Sequence, residues 1–174
     1  MGMPGLKDLV RALPRETFAK SVQGSFLAVV DRGEDEPPSS FQTVDASALP
    51  KAGLDLVPGI EVHEIAKNKN SPYQERISLG RAPNCDVVLR YASVSKLHGY
   101  FTEAPGGQLE LVDVGSQVGT RLNGKALQPN KPAAVAVGDV LVIGRVTTRV
   151  ADARQVWDLL KAEERLAGTR AKSA

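Results

Sequence analysis

The chain has 174 residues, 42% of them hydrophobic and 24% charged, the composition of an ordinary folded domain with tails rather than of a disordered polymer. Its formal net charge of +2, from 22 basic and 20 acidic side chains, is too small an excess for a whole-chain nucleic-acid binder. One cysteine and two histidines exclude an internal disulfide and a Cys- or His-rich metal centre, and no apolar run approaches the roughly 18 residues of a membrane span. The first thirteen residues mix Lys7, Asp8 and Arg11 into their apolar pattern and lack the apolar block of a secretory signal, so a cytoplasmic protein is expected.

In chain order, the first element is helical. Leu6, Leu9, Val10 and Leu13 recur at three- and four-residue spacing, which puts them on one helix face. Pro14 breaks that helix or starts a second, in which Phe18 and Val22 share a face and which Gly24 ends. The short apolar run 26–30 reads as strand by its length. Residues 31–58 then carry six acidic against two basic side chains, together with Pro37, Pro38, Ser39, Ser40, Pro50 and Pro58. Such a segment cannot bury enough apolar surface to offset its ordering entropy, so it reads as a linker or loosely held arm.

From residue 59 the period changes from about 3.6 to about 2. Short alternating or β-branched stretches fall at 60–65, 77–79, 86–89, 97–103, 109–114, 140–143 and 146–150, separated by turn signals such as Pro105-Gly106-Gly107, Asn123-Gly124 and Gly138-Asp139. Asn123-Gly124 predicts a two-residue hairpin, because a type I′ turn needs positive φ at both central positions. Many short strands at this spacing predict an all-β sandwich. Helical spacing returns with Val156, Leu159, Leu160 and Glu163, with Asp152 as N-cap, Gly168 as stop and Trp157 packing the helix onto the sandwich. The chain thus divides into a helical N-terminal extension (1–30), an acidic linker (31–57), a β-sandwich (58–151) and a C-terminal helix and tail (152–174).

Gly80-Arg81, Asp86-Val87-Val88-Leu89, Ser95-Lys96-Leu97-His98, the run from Asp113 to Thr120, and Asn123-Gly124 follow one another in an order and spacing that resembles the forkhead-associated (FHA) domain family. The resemblance covers about residues 58–151. It implies a sandwich of about eleven strands whose loops at one end bind a phosphothreonine in an extended peptide. A phosphothreonine carries nearly two negative charges and three strong acceptor oxygens, which Arg's directed donors match better than Lys. By resemblance Arg81 and Ser95 are the phosphate-binding pair, with Lys96 a variable neighbour. Gly80, His98, Gly119 and Thr120 match positions that support the site, and His98 is expected to be buried beneath it.

One departure stands out. The family pattern Ser-x-Asn-Gly-Thr reads Ser116-Gln117-Val118-Gly119-Thr120 here, so the asparagine that holds the peptide backbone in the family is Val118, and only Gln117 next door offers an amide. The expected function is therefore a phosphothreonine-peptide-binding signalling or adaptor module, with a phospho-independent interaction or scaffold module as the alternative. The expected partner is a phosphothreonine-containing protein, a Ser/Thr kinase or its substrate, with no nucleic acid, membrane, metal or cofactor, and with self-association through the terminal helices. No catalytic role is expected: of the set Cys85, His98 and Asp113, the cysteine is followed by Asp86, whose charge raises a thiol pKa, and a nucleotide-type Gly-rich loop is absent. Thr43 in the acidic arm is a phosphorylatable group that could fold back onto the site.

Overall fold

A computed structural model describes residues 5–33, 60–68, 71 and 75–172. Most of the acidic linker, Thr43 included, lies outside the described residues. Two short helices open the chain, α1 (Leu6–Ala12) and α2 (Arg15–Ser21), and Pro14 is the N-cap between them. A residue of fixed φ and no N–H can stop one helix and start the next.

Eleven strands follow among the described residues: β1 (Phe26–Asp31), β2 (Glu61–Glu64), β3 (Ile77–Gly80), β4 (Val87–Val88), β5 (Gly99–Glu103), β6 (Leu109–Asp113), β7 (Thr120–Leu122), β8 (Lys125–Ala126), β9 (Ala133–Ala134), β10 (Val140–Ile143) and β11 (Val146–Ala151). They form a six-stranded sheet in the order β2-β1-β11-β10-β7-β8 and a five-stranded sheet in the order β4-β3-β5-β6-β9. Pairing is antiparallel except between β3 and β4. Asn123 and Gly124 both take positive φ and close the β7–β8 hairpin, as their sequence predicts.

The two sheets face each other across a core that includes Leu27, Val29, Leu79, Phe101, Leu111, Leu141, Ile143, Val146 and Val150. A second apolar layer lies on the other face of the six-stranded sheet. There Phe26, Ala28 and Ala151 meet Val10, Phe18, Val156, Leu159 and Leu160 of the helices. Strand β1 is therefore covered on both faces, which is why its sequence is a continuous apolar run rather than an alternation.

This corrects three expectations. The boundary at residue 58 leaves β1 outside the sandwich, whereas β1 pairs with β2 on one side and β11 on the other. The C-terminal helix α3 (Ala153–Lys172) runs through Gly168. A helical glycine costs only about 1 kcal/mol relative to alanine, and no proline follows to enforce a stop. Trp157 packs against the N-terminal helices, donating Nε1–H to the Leu13 carbonyl at 3.1 Å, while Val156, Leu159 and Leu160 fill the layer on the sheet. Asp152 does cap α3, accepting the Gln155 N–H at 2.8 Å.

Opposite charges join the helices. Arg15 bonds Asp158 and Arg11 bonds Glu164, each at 2.8 Å, and Arg154 bonds Glu16 at 3.0 Å. Val10, Phe18, Val156, Leu159 and Leu160 of the helices are buried within the chain, while Leu166 farther along α3 is exposed. No helix of the described residues is long and apolar enough to cross a membrane.

Candidate functional site

The residues singled out in the sequence come together at one end of the sandwich. Strand β3 ends at Gly80 and delivers Arg81 to the rim, where its backbone N–H donates to the Ser95 carbonyl at 2.9 Å. Ala82 N–H donates to the Lys96 carbonyl at 3.1 Å, so residues 81–82 and 95–96 are laced together. Gly80 is required by this closeness. A Cβ there would strike the Lys96 carbonyl and lie 3.1 Å from the Cys85 sulfur.

Arg81 is exposed, and its Nε donates to the Val94 carbonyl at 3.1 Å. That bond orients the guanidinium and leaves its terminal nitrogens without a partner among the described residues. Lys96 is exposed beside it, and Ser95 is half-buried. The Ser95 Oγ accepts the backbone N–H of Gln117 at 3.1 Å, which ties the loop before β5 to the loop before β7 and keeps the hydroxyl proton available. Gln117 is exposed, and Val118 projects with 48% of its surface accessible.

Beneath this rim lies a buried polar network. His98 is wholly buried. Its Nδ1 accepts the Ser95 N–H at 3.2 Å, and its Nε2 lies 3.0 Å from the Thr120 Oγ1 and 3.2 Å from the Gly119 carbonyl. An Nδ1 that accepts a backbone proton must be unprotonated, so the imidazole is neutral with its proton on Nε2. Gly119, at φ +97, turns the chain so that its carbonyl meets the imidazole.

Thr120 Oγ1 in turn donates to the Asp113 Oδ2 at 2.6 Å. Asp113 also accepts the N–H groups of Gly115 and Ser116 and the Ser116 hydroxyl. Burial opposes ionisation of Asp113, but the Ser116 and Thr120 donors outweigh it and hold the carboxyl below its ordinary value. Burial pushes the His98 pKa down, against the pull of Asp113 at 3.6 Å.

Asp113 and Ser116 are the members that sequence reasoning left without a structural role. Their signal is the Asp-x-Gly-Ser spacing, which lets an aspartate bond its own backbone two and three residues on. Asp86 plays a similar part on the other side. Its buried carboxylate accepts the N–H and hydroxyl of Ser78 at 2.7 and 2.8 Å, and the Asn68 N–H at 2.6 Å. Cys85, His98 and Asp113 do not assemble as nucleophile, base and orienter. The Cys85 thiol faces the Lys96 carbonyl, the His98 Nδ1 is occupied by Ser95, and burial together with the charge of Asp86 pushes the thiol pKa up.

Comparison with known proteins agrees with this arrangement. A family model for the FHA domain matches residues 77–144, which contain the whole loop cluster. The oxoglutarate dehydrogenase inhibitor of Corynebacterium jeikeium is 34% identical over 104 residues, covering 58% of this chain and 69% of that protein. The glycogen accumulation regulator GarA of Mycolicibacterium smegmatis is 39% identical over 72 residues, covering 41% of this chain and 43% of that protein. In fold, the FHA domain of an Arabidopsis thaliana hypothetical protein superposes with a TM-score of 0.50 at 20% identity, over 75% of this chain and 86% of that one. A matched loop cluster, a two-sheet sandwich and a relative of this identity and coverage lead to one conclusion: the chain belongs to the FHA domain family.

Proposed function

We propose that the chain is a non-catalytic regulatory module that captures phosphothreonine segments of other proteins at the rim formed by Arg81, Ser95, Lys96 and Gln117. The observation that carries this reading is the state of the donors. Arg81 and Lys96 are exposed cations whose terminal nitrogens have no partner among the described residues, and Ser95 spends its oxygen on Gln117 N–H while its proton remains to give. A dianionic phosphate supplies the acceptors these groups lack, through charge-assisted bonds worth about 1.5–3 kcal/mol each. The loops are held from below by His98, so little ordering cost falls on binding.

The names of the two relatives, one an inhibitor and one a regulator, support action by docking on a partner. The partner is a Ser/Thr kinase or a kinase substrate, met in the cytoplasm. Titration with matched phosphothreonine, phosphoserine and threonine peptides tests the reading. Phosphothreonine-dependent binding that Arg81→Ala abolishes is expected, whereas absence of any such binding into the millimolar range overturns it. Val118, where the family has asparagine, favours a second reading as a phospho-independent scaffold, for which phosphorylated and unphosphorylated peptides bind alike.

A further inference from the structure

The cations and hydroxyl of the rim leave one feature without a use. Among the described residues four large apolar side chains are notably exposed: Leu97 at 44%, Val118 at 48%, Val137 at 45% and Leu166 at 49%. Val137 precedes β10 at the end of the sheet opposite the site, and Leu166 lies on the distal part of α3. Leu97 and Val118, in contrast, sit in the two loops that the Gln117-to-Ser95 bond joins.

We propose that Leu97 and Val118 form an apolar reading edge beside the phosphate site, so that the preferred ligand is a phosphothreonine segment with a large aliphatic residue next to its phosphothreonine. The inference rests on the phosphothreonine reading above and adds a specificity to it.

The exposure of both side chains is enforced by fixed backbone. Leu97 stands between Lys96, whose carbonyl accepts the Ala82 N–H at 3.1 Å, and His98, whose N–H donates to the Leu79 carbonyl at 2.9 Å. With His98 turned into the core, its neighbour Leu97 is turned out. Val118 is framed by Gln117, whose N–H bonds the Ser95 Oγ, and Gly119, whose N–H bonds the Ser116 Oγ at 3.1 Å.

The charge around them selects the occupant. Arg81 and Lys96 call for an anion, while the edge that Leu97 and Val118 present is water-exposed and apolar. A ligand that satisfies both carries a phosphate and an aliphatic group a short distance apart. The Val118 side chain has no polar atom with which to hold a peptide backbone, so what that side chain contributes is contact area. Covering side chains already half-exposed strengthens binding by on the order of tenfold relative to a small polar residue at the same ligand position.

The test is a positional scan by fluorescence anisotropy. Peptides with a fixed central phosphothreonine carry Leu, Ile, Val, Ser, Glu or Lys at each flanking position in turn. They are titrated into the full chain and into Leu97→Ser, Val118→Ser and Val118→Asn, each first checked for an unchanged melting temperature. At one flanking position Leu, Ile or Val should bind about tenfold tighter than Ser. Each serine variant should reduce that ratio to about threefold or less, and Val118→Asn should erase it while tightening the Ser-bearing peptide. Phosphothreonine-dependent binding with no aliphatic preference, or a preference that survives both serine variants, overturns the inference and leaves the phosphothreonine reading standing. Failure of every phosphothreonine peptide to bind the unsubstituted chain overturns that reading, and the inference with it.

Discussion

Replacing His98 by alanine separates support of the rim from contact with a ligand. The imidazole is wholly buried and has three polar partners, the Ser95 N–H, Thr120 Oγ1 and the Gly119 carbonyl. Alanine leaves a cavity of ring size, worth about 2–4 kcal/mol after partial relaxation. It also leaves the Ser95 N–H without its acceptor, at about 1–3 kcal/mol. The two losses overlap as the loop relaxes, so a net destabilisation of about 3–5 kcal/mol is expected. For a chain of this size that lowers Tm by on the order of 10 °C.

Denaturant unfolding gives the stability, and peptide titration at a temperature where both proteins are folded gives the affinity. His98→Asn, whose carbonyl can take the place of Nδ1 as acceptor for the Ser95 N–H, should recover part of the stability. A His98→Ala protein that loses less than about 1 kcal/mol of stability but all phosphopeptide affinity would refute the argument. In that event His98 touches the ligand.

Arg81→Ala should do the opposite: Tm nearly unchanged, because the side chain is exposed with one bond to the Val94 carbonyl, and phosphopeptide affinity lower by about a hundredfold or more. In pH titration, the folded pKa of His98 is depressed below its ordinary 6.5, so its contribution is present above 6.5 and lost as pH falls toward and through the folded value. Stability should fall over that window by up to about 1.4 kcal/mol per pH unit, and His98→Asn should flatten this limb. Asp86 and Asp113, also depressed, contribute stability above their ordinary 3.8 that is lost as pH falls through their lower folded values, giving a second acid limb that His98→Asn leaves in place. Trp157→Ala removes the bond to the Leu13 carbonyl and should speed amide exchange in α1 and α2 while the inner strands stay protected; unchanged exchange would show that the tryptophan does not hold the helical layer.

What was legible in the sequence follows the strength of local periodicity. The strands β2 to β6, β10 and β11 and the Asn123-Gly124 hairpin were readable because each buries one face or demands a φ that few residues supply, whereas the two-residue strand β9 (Ala133–Ala134) is too short to carry an alternation and was not read. Strand β1 was readable as a strand but not as a member of the sandwich. Its partners begin at residues 61 and 146, and its double burial removes the alternation that marks a sheet edge or face. Trp157 was misplaced for a related reason, since spacing puts it on a helix but cannot say which neighbour that face meets. Arg81, Ser95 and His98 were found through a family spacing. The bonds that define their roles run to backbone groups of distant loops, and backbone groups leave no mark in a sequence.

The buried network has a direction, and Asp113 sets it. An ionised carboxylate can only accept, so the Thr120 hydroxyl must donate to it and must therefore accept from the His98 Nε2–H. That fixes the other ring nitrogen as acceptor for Ser95, whose carbonyl accepts the Arg81 N–H at the rim. A buried charge thus orders each proton along the path to the candidate phosphate site. Asp113→Asn turns one end of the chain into a donor that faces the Ser116 and Thr120 hydroxyls at 2.6 Å. If Thr120 reverses, it donates toward an Nε2 that already carries a proton. If His98 then shifts its proton to Nδ1, that proton meets the Ser95 N–H. If Thr120 instead accepts from both the new amide and the His98 Nε2–H, its own hydroxyl proton is left without an acceptor. Every arrangement thus leaves either two donors opposed or a buried donor unpaired, so the variant should lose about 2 kcal/mol or more, although it differs from aspartate by almost nothing in volume. Long-range proton–nitrogen spectra of the ring read the tautomer directly. The unsubstituted protein should show the His98 proton on Nε2. A proton found on Nδ1, or an Asp113→Asn protein of unchanged stability, would mean that the order along this path is set elsewhere.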